Sequence, residues 1–157
     1  MDAYSLKYDF GVNNLQVISD IIDDLNLGIN TTIHIYLNAG GNAQLAVDLT
    51  NAITLSSARE INLNVTGYAN SAAAFVVMGA MIYQKGNVNF IFDEPICLMY
   101  HRPRTINFET NLNYFDSTSS LCVAYDKLMF DWVKEYEVSY NNQQAYYSNH
   151  EMVLILQ

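Results

Sequence analysis

Basic residues are scarce: Lys and Arg together number 7 against 16 Asp and Glu, a formal charge of -9 over 157 residues. That balance excludes nucleic acid as a partner, because phosphate contacts need clustered cations. Cysteine is nearly absent. Cys97 and Cys122 stand in apolar surroundings with no metal-ligand or redox spacing, and read as buried free thiols in a reducing compartment. Long hydrophobic runs are missing too. The longest, residues 72–82, is too short to span a bilayer, and residues 1–11 show no basic region followed by an apolar core. A soluble, cytoplasmic protein without a membrane partner is expected. No repeat, low-complexity tail or linker divides the chain, and with 51 % hydrophobic residues it has enough for the core of one domain.

What is present alternates between two periods. Tyr4, Leu6, Tyr8 and Phe10 mark a strand over residues 4–10, closed by Gly11. Val12, Leu15, Ile18, Ile22 and Leu25 recur at helical spacing, and Gly28 closes that helix. On its outer face Asp20, Asp23 and Asp24 read as solvated carboxylates; a metal site is the rarer alternative. Residues 31–37 form a second strand, ending at Asn38-Ala39-Gly40-Gly41, and a helix begins at Asn42. His34 lies on the face of that strand opposite Ile33 and Ile35, and reads as packed or solvent-facing. The glycine pair either meets a need for positive φ or bares a backbone N–H for a ligand. It lacks the spacing of a dinucleotide or Walker fingerprint.

A third strand, residues 61–65, stops at Gly67, and Ser71 opens a helix apolar on every side. A serine there is either an ordinary N-cap or a nucleophile at a positive helix terminus, where the N–H of Ala72 can meet an oxyanion. Two further strands follow, residues 88–92 and 96–101, the second ending in His101 before Arg102-Pro103. His101 is either structural or a general base. The strand-helix order implies parallel pairing with loops gathered at the strand C-terminal ends, so Gly41, Ser71 and His101 can be neighbours. Beyond Arg104, residues 105–108 read as extended, 111–120 as polar loop, 121–136 as an amphipathic helix capped by Ser119 or Ser120, 140–149 as loop and 152–156 as a final strand. The aromatic and Met content of residues 121–136 exceeds the need of one face, which fits a partner surface or a thick core.

These motifs resemble the proteolytic subunit of the Clp protease, within the crotonase-like superfamily, over residues 36–103. Asn38-Ala39-Gly40-Gly41 resembles the family's Asn-Ser-Pro-Gly-Gly strand ending, one residue shorter and without proline. Gly67-Tyr68-Ala69-Asn70-Ser71-Ala72-Ala73-Ala74-Phe75 matches Gly-x-Ala-x-Ser-x-x-Ala-Phe, and His101-Arg102-Pro103 matches His-x-Pro. The resemblance implies an α/β fold of repeated β-α units, with a mostly parallel sheet and a handle-like helix. One domain over residues 1–157 is expected, its head at about 1–103 and 140–157 and its handle-like region at about 104–139. By the same likeness Ser71 is the nucleophile, His101 its base, the N–H groups of Gly41 and Ala72 the oxyanion hole, and residues 102–109 a substrate-lining strand. Aligning Tyr146-Tyr147-Ser148 with the family's aromatic-x-Ser segment puts Gln144 in the acid's place, and no Asp or Glu occurs over residues 138–150.

The expected function is a serine endopeptidase acting on peptides or unfolded proteins, weakened by the lost carboxylate. It needs no cofactor and no metal. Its expected partners are copies of itself in a heptamer-like ring and an AAA+ unfoldase, the latter put in question by axial loops that the sequence does not show. The alternatives are an inactive relative that assembles with or modulates Clp components, and a crotonase-type acyl-CoA enzyme. A compact version of a cellular enzyme also fits a phage protein.

Overall fold

Residues 1–107, 111–115 and 118–156 are described by the computed structural model. Strand β1 (Asp2–Lys7) leads through a short 3-10 turn into α1 (Leu15–Asn26), β2 (Thr31–Asn38) into α2 (Ala43–Leu55), and β3 (Ile61–Asn70) into α3 (Ala72–Tyr83). Then follow β4 (Val88–Phe92), β5 (Ile96–His101), β6 (Arg104–Asn107), β7 (Asn111–Tyr114), α4 (Ser120–Glu135), α5 (Tyr140–Asn149) and β8 (Glu151–Leu156). The main sheet runs β1-β2-β3-β5-β8, with β4 also paired to β3; every pair is parallel except β5 with β8. Strands β6 and β7 pair antiparallel by themselves.

Alternation decides which face of the sheet is covered. Ile33 and Ile35 of β2 and Ile61, Leu63 and Val65 of β3 are buried beneath the helices, while His34, Asn62 and Asn64 between them lie half-buried on the other face. His34 pairs there with Thr66 Oγ1 at 2.8 Å and stacks edge-on against Tyr36, away from Ser71. Helix α3 is buried from Ala72 through Ala80, so an all-round apolar sequence becomes the central helix, flanked by α2 and α4. Small residues permit the close approach. A Cβ on Gly79 would stand 2.7 Å from Thr50 Cγ2 of α2.

Several sequence expectations are corrected. Strand β1 ends at Lys7, because Tyr8 adopts φ 71° and leaves Phe10 only a single bridge to Gly41. In α1 the buried positions are Ile18, Ile21 and Leu25, whereas Val12 and Leu15 are exposed. Residues 111–114, read as loop, pair with β6. Residues 140–149, also read as loop, form α5: Ser139 Oγ accepts from Asn142 N at 3.2 Å as its cap, and Tyr146 alone on it is buried.

The third strand also runs farther than expected. Pairing of β2 with β3 steps from Tyr36↔Thr66 to Asn38↔Ala69, so β3 carries one extra residue at this bulge, where Gly67 takes φ 78° against the Leu37 side chain. Before the bulge β3 pairs with β4, after it with β5. The glycine thus bends the strand onto a new partner instead of ending it.

Candidate active site

Register brings the two candidate reactive side chains to one edge. The β3–β5 ladder ends at Asn70↔Met99 and is extended by a hydrogen bond from Ser71 N to Met99 O at 2.6 Å. His101 lies two residues beyond Met99 on the same strand face, roughly 7 Å along the sheet at strand spacing. Both line a cavity of about 320 Å³ together with Gly41, Pro103, Arg104 and Tyr125. They also line a second cavity of about 250 Å³ together with Gly40, Gly41 and Met99.

Ser71 passes from strand to helix with no intervening residue, at φ 58° and ψ -121°, a strained backbone for a residue with a Cβ. Its side chain makes no capping hydrogen bond, so the ordinary N-cap reading fails. Strain without a cap is how a hydroxyl is held out over a helix N-terminus. No hydrogen bond joins Ser71 Oγ to His101 among the described residues; such contacts are often loose before substrate binds.

The two glycines differ in what holds them. Gly40 has φ 92°, and a Cβ there would lie 2.5 Å from both Asn70 O and Ser71 Cβ. Gly41 has ordinary φ but presses on Phe10, whose carbonyl would be 2.6 Å from a Cβ. Phe10 donates to Gly40 O and accepts from Asn42 N, each at 2.8 Å, so the parallel bridge uses the residues on either side of Gly41. The N–H of Gly41 is thereby turned away from Phe10, at a residue that lines the cavity. Asn38, fully buried, fixes this loop: it donates to Leu6 O and Asp9 O and accepts from Gly40 N at 2.9 Å.

His101 is buried, and burial depresses its basicity below the usual histidine value. Its Nδ1 lies 2.7 Å from Arg102 O, a carbonyl that can only accept; the proton therefore sits on Nδ1 and the lone pair on Nε2. Arg104 lowers the basicity further, and Glu151, paired with Arg104 at 3.1 Å, opposes it. Arg102 itself points elsewhere, to Asp126 of α4, which also accepts from Tyr146 of α5 at 2.7 Å.

Ser71, His101 and Gly41 thus share one cavity, while Ala72 is almost fully buried next to Ser71 and does not line it. Gln144 is exposed on α5 and lines neither cavity, and Arg102 O occupies the ring nitrogen that a residue in the acid's place would hold. Of the expected substrate-lining segment, residues 108 and 109 lie outside the described residues. Glu151, one position beyond the stretch that carries no acid, is brought opposite His101 by strand pairing, which the sequence does not display. Among the described residues no cluster of His, Cys, Asp and Glu is arranged to hold a metal ion, and no helix is long and apolar enough to cross a membrane.

No family model and no curated protein matches the sequence. The structure is similar to that of a ClpP1 mutant from Listeria monocytogenes, with a TM-score of 0.56 and 14 % identity, over 97 % of this chain and 81 % of that one. At that identity the likeness concerns architecture: the chain has a ClpP-like fold, of mixed α/β class with a mostly parallel sheet.

Proposed function

We propose that the protein is a serine-type peptidase that hydrolyses peptides or unfolded chains through an acyl-enzyme. The observation that carries the reading is Ser71, strained and uncapped at the β3–α3 junction, in one cavity with His101 and Gly41. In attack, the Ser71 Oγ–carbon bond forms while Nε2 of His101 takes the hydroxyl proton, the tautomer fixed by Arg102 O leaving that nitrogen free to do so. The oxyanion accepts from the N–H of Gly41, the expected donor that lines the cavity; Ala72, the other, is buried next to Ser71. Collapse breaks the peptide C–N bond, and the amine leaves with the proton from His101. Water then attacks the ester, giving its proton to His101, and Ser71 departs as a hydroxyl.

Copies of the chain are proposed to assemble into a ring, supported by exposed apolar side chains on β8 and α4: Val153 and Ile155 on the first, Val123 and Phe130 on the second. A second reading, a non-hydrolysing assembly or binding protein, is favoured by one observation, that a carbonyl and not a carboxylate holds Nδ1 of His101. A fluorophosphonate probe separates the two. Covalent labelling that Ser71→Ala abolishes and His101→Ala slows by about 100-fold or more is the expected result for a peptidase. Absence of Ser71-dependent labelling and of ester hydrolysis would leave the second.

A further inference from the structure

The proposed mechanism leaves the imidazolium of His101 without a named counter-charge. Strand pairing supplies one. In the antiparallel β5–β8 ladder His101 stands directly opposite Glu151, and directly opposed residues project their side chains to the same face of a sheet, with Cβ atoms about 5 Å apart. Arg104, at the start of β6, closes the group by donating to Glu151 Oε2 at 3.1 Å while lining both cavities with His101.

The charged groups around the ring can be sorted by element. Just past β5 the guanidinium of Arg102 is turned away to Asp126, to which Tyr146 also donates. Tyr125 of α4 shares the cavity wall as a neutral phenol, and from the β3–α3 junction only the Ser71 hydroxyl approaches. Among the described residues Arg104 and Glu151 are the ionised groups acting on His101, with opposite sign. His150 precedes Glu151 in the chain but acts electrostatically on Asp126.

We propose that Glu151 is the positioning carboxylate of His101, supplying negative charge across the β5–β8 pair to the imidazolium formed during attack, while Arg102 O fixes the tautomer and Arg104 holds the carboxylate in place. The division differs from a triad in which one carboxylate does both tasks. The inference deepens the peptidase reading and rests on it.

The test is a titration of the His101 ring by NMR in the full chain, run beside the pH dependence of fluorophosphonate labelling at Ser71. Glu151→Gln should lower the His101 midpoint by about half a pH unit or more, and Arg104→Gln should raise it. Glu151→Asp should stay near the parent. Labelling by Glu151→Gln should slow by about tenfold or more at a pH where the ring is neutral in both proteins. The signs matter. A purely structural role predicts a different pattern, because a loosened strand pair lets water reach the ring, which raises the midpoint in both variants. Equal midpoints in Glu151→Gln and the parent, or a rise in both variants, would overturn the proposal. Should Glu151→Gln not fold, Arg104→Gln and Glu151→Asp still read the pair, and no rise in the former overturns it. If the ring responds as expected but Ser71 never labels, the peptidase reading fails, and with it the catalytic use of Glu151, while the electrostatic coupling stands.

Discussion

At the residue scale the site depends on positions where a single atom decides the outcome. Gly40→Ala puts a Cβ 2.5 Å from Ser71 Cβ and from a backbone carbonyl, at φ 92°, so both neighbour and backbone must move. A loss of about 2–4 kcal/mol in chemical denaturation is expected, with Ser71 labelling lost alongside. Gly86→Ala is the control. Gly86 has φ 97° and nothing within 4 Å of a Cβ, so only the backbone term of about 1 kcal/mol applies and labelling survives. His101 sets the pH dependence. Burial is the largest influence on its basicity and lowers it; the carbonyl of Arg102 acts the other way and raises it, and Arg104 lowers it. A base is active when neutral, so the acid limb of labelling against pH should fall below 6.5, the model-peptide value. Stability follows the same sign: the unfolded chain takes up the proton first, so this contribution is full above pH 6.5 and is lost as pH falls through the folded value.

At the scale of elements, α4 and α5 are fastened to the end of β5 by one carboxylate. Asp126 accepts from Arg102 and from Tyr146, and although burial alone would raise its pKa, those hydrogen bonds outweigh it and hold it below the usual carboxylate value. Its stabilising share is therefore present above pH 3.8 and is lost as pH falls through the folded value. Asp126→Asn should cost about 1–2 kcal/mol, kept low by partial exposure of the pair, and should flatten the acid limb of stability measured by thermal unfolding across pH. Elements with a clear period were legible in sequence: β2, α2 from its start at Asn42, and α4, whose cap of the two serines expected is Ser119, accepting from Cys122 N. The surplus aromatics of α4 mostly enter the core, since Tyr125, Met129 and Trp132 are buried and Phe130 is exposed. Helix α5 was not legible, because a segment with one buried residue carries no hydrophobic stripe and its Asn and Gln favour turns. Nor was the continuation of β3, since Gly67 signals a break locally and its true role, changing partner from β4 to β5, depends on a strand about 30 residues away. That Ser71, His101 and Gly41 gather about one cavity was legible because each lies at or shortly past the C-terminal end of a strand, whereas Glu151 becomes a neighbour of His101 only through the β5–β8 register.

For the whole molecule the question is what covers its exposed apolar edge. Strand β8 ends the sheet, with Val153 46 % and Ile155 62 % exposed, opposite half-buried Met99 and Cys97 of β5. An apolar edge strand invites pairing, and nothing in its sequence after Glu151 carries the charge that usually prevents it. If the proposed ring uses this edge, Ile155→Glu should reduce the mass seen in sedimentation toward that of one chain. Its effect on unfolding should stay within about 1 kcal/mol, because the side chain is already solvated in the single chain. Charge works against assembly, since each copy carries -9. Raising ionic strength from about 20 to about 200 mM shortens the screening length from roughly 20 to 7 Å and should shift the parent toward the larger species, leaving Ile155→Glu small at both. An unchanged mass in Ile155→Glu at both salt concentrations would move the contact to another surface, with Val123 and Phe130 of α4 the next place to substitute.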